Sequence, residues 1–118
     1  MAEHNIIGKQ GEEIAKRYLE HKGYRILEQN YRTKRAEIDI IARERETLVF
    51  VEVRTKHHEQ FGSPEETLNY KKRMQVLRNA SSYIAKVRYR GPCRIDAVCV
   101  VLNQQQKAER ISHYENIA

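Results

Sequence analysis

From Thr47 to Lys56 the chain alternates strictly: Val49, Val51, Val53 and Thr55 interleave with Leu48, Phe50, Glu52, Arg54 and Lys56. That is the period of a strand, and the first set makes a purely β-branched face. Ala36 to Arg43 alternates too, which places Glu37, Asp39 and Ile41 on one face and Ile38, Ile40 and Ala42 on the other. The link Arg43-Glu44-Arg45-Glu46 has no Gly or Asn, so a loop longer than a two-residue primed turn is expected. Before these strands, Asn5 can cap a helix running to about Lys22, stopped by Gly23. Within it Glu12, Ala15 and Leu19 share a face, and Glu13 lies beside Arg17 in solvent. Gly8 and Gly11 imply either a later start or a close approach to a neighbouring element.

Tyr24 to Glu28 reads as a short strand and Asn30 to Arg35 as a polar loop. After a loop containing Phe61-Gly62, Ser63-Pro64-Glu65-Glu66 has the form of a capping box with Pro at the first helical position. Asn69 offers a second start after a break near Leu68. The helix then continues to about Val87, with Tyr70, Met74, Leu77, Ser81 and Ile84 on one apolar stripe. Arg90-Gly91-Pro92 breaks the chain before a long strand from Cys93 to Leu102, and Ile111 to Tyr114 adds an edge strand. The order helix, three strands, helix, strand predicts an α/β fold with a mixed central sheet flanked by helices.

Composition narrows this picture. A chain of 118 residues with 40% hydrophobic and 32% charged residues fits one globular domain over 1–118. No apolar run reaches the ~20 residues of a spanning helix, and no secretory signal opens the chain, so the expectation is a cytoplasmic protein with no membrane partner. Cys93 and Cys99 lack paired metal or redox spacing and read as free thiols. His57-His58 reads as a solvated loop pair. The net charge of +6 is unevenly placed. Lys71, Lys72, Arg73, Arg78, Lys86, Arg88, Arg90 and Arg94 form a run without one acid, and Arg32-Thr33-Lys34-Arg35 is a second cluster. Such patches suit a polyanion, nucleic acid first among them, although a merely soluble basic surface has the same composition.

Against that background, acids inside the central strands demand an explanation. If the faces coincide, Asp39 and Glu52 meet across neighbouring strands with Cβ atoms about 4.5–5.5 Å apart. Like charges so close destabilise unless a cation joins them. Mg²⁺ takes oxygen ligands, uses few carboxylates and keeps water or phosphate oxygens for the rest of its shell. Glu12, from the helix, is a third acid for such a site. The alternative is that Asp39 and Glu52 face water or pair with Arg54, Lys56 or Arg43, and residue pattern alone leaves both readings open.

The ordered segments GEEIAKRYLEHKGYRILEQNYR, AEIDIIA, LVFVEVRTK, FGSPEETLNYKK and RIDAVCVV, spread over about residues 8 to 102, resemble the YraN-like family of predicted nucleases. That family is grouped with Holliday-junction resolvases and restriction enzymes. The resemblance implies a restriction-endonuclease-like α-β-β-β-α-β core and a site of acid, Asp and Glu-x-Lys. By position, Glu12 matches the helix acid, Asp39 the central metal ligand and Glu52 the second ligand. Arg54 falls on the superfamily's Lys, Lys72 on a basic position of the second helix, Asp96 on a late-strand acid and Arg32 on the arginine of Asn-Tyr-Arg. Two positions depart from the pattern. Ala36 replaces the usual Gly, which matters only where that backbone needs positive φ or a close phosphate approach. Arg54 is effectively always charged and cannot act as a base, and Lys56, two residues on and facing the same way, is the nearest alternative ammonium on the strand.

The expectation is therefore a Mg²⁺- or Mn²⁺-dependent endonuclease acting on DNA, branched or otherwise structured. Glu12, Asp39, Glu52, Arg54 and Lys56 are the catalytic set, and Glu37 supports them from behind. Arg32, Lys34, Arg35, Lys71, Lys72, Arg73 and Arg78 would grip the phosphate backbone. Cutting both strands of a junction with one site per chain would call for a homodimer. The competing reading is a nucleic-acid-binding or scaffold module without turnover.

Overall fold

A computed structural model describes residues 3–58 and 62–118; Phe61 of the expected loop lies outside the described residues. The elements are α1 (Glu3–His21), β1 (Arg25–Arg32), β2 (Glu37–Glu44), β3 (Thr47–His57), a short 3₁₀ helix (Pro64–Thr67), α2 (Tyr70–Val87), β4 (Cys93–Leu102) and β5 (Ala108–Tyr114). The five strands form one mixed sheet in the order β1-β2-β3-β4-β5. All neighbours are antiparallel except β3 and β4, which run parallel and are joined through α2. No helix among the described residues is long and apolar enough to cross a membrane.

The alternation of β3 divides the core into two layers. Val49, Val51 and Val53 pack with Ala15 and Leu19 of α1, while Leu48 and Phe50 pack with Val76, Ala80 and Tyr83 of α2. Each of the valine, leucine and phenylalanine side chains so removed from water contributes roughly 1.5–3 kcal/mol. Gly11 sets the spacing of α1 from the sheet, because a Cβ there would stand 1.8 Å from Thr55 Oγ1. Close approach is thus the reason for that glycine, and Gly23, at φ 94°, ends the helix in the left-handed region.

Several elements differ from the sequence expectation. Helix α1 begins before Asn5, at Glu3, so Asn5 is inside it rather than capping it. β1 extends through Asn30 to Arg32, because its pairing with β2 continues to Arg32–Glu37. The β2–β3 connection is a two-residue hairpin, closed by Glu44–Thr47, in which Arg45 takes φ 54° without help from Gly. Ladder formation on both sides supplies what the turn sequence lacks. Ser63 makes no side-chain cap, and the chain makes only one 3₁₀ turn before breaking at Leu68. α2 then starts where Asn69 Oδ1 accepts from Lys72 N–H at 2.9 Å. The face of α2 that packs inward carries Val76, Ala80 and Tyr83, whereas Tyr70 and Leu77 are exposed. The sheet offers α2 a shallow seat, so the wide stripe read from sequence turns partly outward. β5 is longer than expected, and His57 closes β3 half-buried rather than lying in a loop. Both cysteines are free thiols, Cys93 exposed and Cys99 buried.

Candidate functional site

The recorded ladder between β2 and β3 ends at Ile40–Val51. One rung further, where Asp39 and Glu52 would face each other, the strands part. Val53 N–H donates instead to Asp39 Oδ2 at 2.8 Å, so a side-chain carboxylate occupies the acceptor place in the gap. Alternation in β2 breaks at the same residue. Ile38 packs with Ile41 on the α2 side, while Ile40 and Ala42 pack on the α1 side. This corrects the expected face of Ile38: strand divergence rotates the chain about Asp39 and aims its carboxylate between the strands.

Glu52 interrupts the apolar run of β3 and is only 7% exposed. Its Oε2 accepts from Arg54 Nη1 at 3.1 Å and meets Lys72 Nζ at 3.2 Å. A buried carboxylate is tolerable when charges of opposite sign and hydrogen bonds compensate it. Arg54 is anchored at its other edge, where Nε donates to Thr67 Oγ1 at 2.7 Å. Asp39 has less compensation. Burial and the Glu52 carboxylate raise its pKa to about 8, against the pull of the Val53 N–H and Lys72. Glu12 comes from α1, and burial, Glu52 and Glu37 all raise its pKa. Three acids from three elements thus share one field through the gap in the sheet.

Beside the gap, a cleft of about 790 Å³ runs between α1 and the ends of β1 and β2. Glu12, Glu37 and Asp39 line it together with Lys9, Gln29, Asn30 and Arg32. Arg32 Nη2 donates to Glu37 Oε1 at 2.6 Å, so these two residues form a charge pair at the rim. Among the described residues no group of three acids, histidines or cysteines is gathered tightly enough to hold an ion unaided. Asp39 and Glu52 nevertheless fit a hard cation that keeps several waters: two neighbouring oxygen donors, one of them with its pKa raised by burial and by the other's charge.

The remaining expected residues separate into places of their own. Lys56 continues the face of Glu52 and Arg54 toward the far end of β3 and makes no ion pair among the described residues. Lys34 and Arg35 are exposed in the turn before β2, where Thr33 Oγ1 accepts from Arg35 and Ala36 N–H at 3.1 and 3.0 Å. Ala36 is buried and has no positive φ, so its lack of glycine costs this turn nothing. Lys71 and Arg78 are exposed on α2, Arg73 is half-buried, and only Lys72 reaches the acids.

Asp96 lies elsewhere. It is fully buried on the α1 side of the sheet, held by Arg94 Nε at 2.8 Å, His113 Nε2 at 2.8 Å and Asn116 N–H at 3.1 Å. Burial opposes its charge, but those partners outweigh it and keep its pKa below the usual value. Its work is to tie β4 to the C-terminal segment.

The profile of the Uncharacterised protein family UPF0102 matches residues 11–100, which span all the acids of the site. The chain belongs to the UPF0102 family. A UPF0102 protein of Alkaliphilus oremlandii is 45% identical over 113 residues, covering 93% of this chain and 95% of the relative. Another, from Christiangramia forsetii, is 37% identical over 116 residues, covering 98% and 96%. A third, from Persephonella marina, is 43% identical over 99 residues, covering 83% and 85%. In this UPF0102 chain, residue pattern had not pointed to Thr67 or to the cleft residues Lys9, Gln29 and Asn30. Nothing in the local sequence marks Thr67. Only the tertiary contact with Arg54 does.

Proposed function

We propose that this chain is a divalent-metal-dependent endonuclease that hydrolyses phosphodiester bonds in DNA. The observation that carries this reading is the parted end of β2 and β3, where the Asp39 carboxylate accepts from Val53 N–H and where burial and the charge of the buried Glu52 raise its pKa to about 8. A fold that brings two carboxylates to the same parted rung of neighbouring strands keeps a cost that a bound cation removes. Asp39 and Glu52 would hold Mg²⁺ or Mn²⁺, with Glu12 bonded through water. When bound, such an ion lowers the pKa of its water and neutralises charge on a phosphate oxygen.

The chain's own cations divide the remaining work. Arg54, always charged, orients the phosphate and offsets the charge that builds on it. Lys72, at 3.2 Å from Glu52, brings from α2 the ammonium that the strand lacks at Arg54. Arg32, Lys34, Arg35, Lys71, Arg73 and Arg78 hold the backbone without reading bases. Two copies of the chain would be needed to cut both strands of a branched substrate.

A binding module without turnover is favoured by one observation: Glu52 Oε2 is already met by both Arg54 and Lys72. Incubation of wild type, Asp39→Asn and Glu52→Gln with duplex, single-stranded and branched DNA, with Mg²⁺ or Mn²⁺ or with chelator, separates the two readings. Cleavage that requires metal and both acids is expected. Binding of equal strength in all three proteins, with no cleavage by wild type under either ion, would establish the module instead.

A further inference from the structure

The 3₁₀ helix Pro64–Thr67 belongs to neither neighbouring strand nor to α2, yet it reaches the site. Its anchor is at the far edge of the sheet. Glu65 accepts from Arg110 Nη1 and Nη2 at 2.6 and 2.9 Å and from Tyr114 OH at 2.6 Å, both residues of β5, while Pro64 is buried. At its other end Thr67 Oγ1 donates to Pro64 O at 2.6 Å. That commits the hydroxyl proton within the turn and leaves a lone pair for Arg54 Nε at 2.7 Å. Arg54 Nη1 in turn donates to Glu52 Oε2 at 3.1 Å. A guanidinium is planar, so fixing Nε and Nη1 together fixes the whole fork.

We propose that Thr67 is a positioning residue and that the Pro64–Thr67 turn is a bracket carrying orientation from β5 to Arg54. Held at Nε, Arg54 meets Glu52 through Oε2. Without the hydroxyl, Arg54 regains rotamer freedom that a solvated arginine normally keeps, and its fork no longer arrives in one place. The consequence for turnover rests on the nuclease reading. The positioning itself does not.

The test uses the full chain with Thr67→Val, which keeps the shape and loses the hydroxyl, and Thr67→Ser, which keeps the hydroxyl. Side-chain Nε–H signals are followed by NMR, and the Arg54 signal is assigned from its absence in Arg54→Lys. Wild type and Thr67→Ser should show Arg54 Nε–H exchanging on the order of tenfold slower than solvated arginines, and Thr67→Val should lose that protection while still unfolding cooperatively. In a cleavage assay, Thr67→Val should lower kcat roughly 10–100-fold with KM unchanged, and Ser should restore it. Glu65→Gln, which loosens the bracket at β5 and leaves Thr67 in place, should weaken the protection in part and keeps the claim testable if Thr67→Val does not fold. Protection retained in both Thr67→Val and Glu65→Gln, or lost equally in Thr67→Ser, overturns the proposal. Protection that behaves as expected in a wild type that cleaves nothing overturns the nuclease reading and leaves the positioning in force.

Discussion

Replacing Asp39 by Asn removes the titrating group from the gap in the sheet while keeping the shape and an oxygen for Val53 N–H, which stands 2.8 Å from Asp39 Oδ2. Burial and Glu52 raise the Asp39 pKa from 3.8 to about 8. The folded protein therefore holds a proton that the unfolded chain releases as pH climbs from about 4 to 8, so this group's contribution to stability declines across that window in the absence of metal. One pH unit is worth about 1.4 kcal/mol, which sets a ceiling of roughly 5–6 kcal/mol for the whole interval. The carboxylate is only partly buried, so the expected loss is about 1–3 kcal/mol. Asp39→Asn should remove that decline and be more stable than wild type at alkaline pH. Metal should oppose that difference. With a Kd of about 1 mM, about 10 mM Mg²⁺ stabilises wild type by roughly 1.4 kcal/mol and should leave the variant unmoved. Urea denaturation from pH 5 to 9, with Mg²⁺ and with chelator, measures both effects. A variant that tracks wild type across pH, or that responds equally to Mg²⁺, would refute the reasoning.

Other outcomes follow from separate parts of the structure. Lys72→Met should leave Glu52 with Arg54 alone and lower turnover by roughly 10²-fold or more, as steady-state cleavage would show. Gly11→Ala brings a Cβ to within 1.8 Å of Thr55 Oγ1. It should destabilise the fold by about 1–3 kcal/mol in urea titration, since Thr55 is stiff at χ1 and α1 must move. Glu65 is held at a pKa of about 2, chiefly by its hydrogen bonds from Arg110. The stability it contributes is whole above about pH 4.5 and lost as pH falls toward 2, so Glu65→Gln should flatten acid unfolding in that window by circular dichroism. Asn69→Ala removes the cap on Lys72 N–H and should cost about 0.5–2 kcal/mol, with amide exchange accelerating first in the opening turn of α2.

The sequence by itself determined the order of elements, because that order depends on short-range signals. The alternation of β3, the apolar run of β4 and the Gly23 stop each express a local period or a local φ, and each stands in the fold. The acids were legible for a related reason: a carboxylate that interrupts LVFVEV is anomalous wherever the strand is placed. What the acids do to one another was not legible. The ladder ends at Ile40–Val51, and the divergence that turns Ile38 to the other face depends on register and twist shared by two strands. Lys72 reaches Glu52, and Thr67 reaches Arg54, only because α2 and the 3₁₀ turn fold back over the strand that carries them. The inward face of α2 likewise depends on the seat the sheet provides, which left Tyr70 and Leu77 outside. Periodicity can say that a residue belongs to a face. Which partner that face meets is decided by packing between segments distant in the chain, and packing placed the charges of this site.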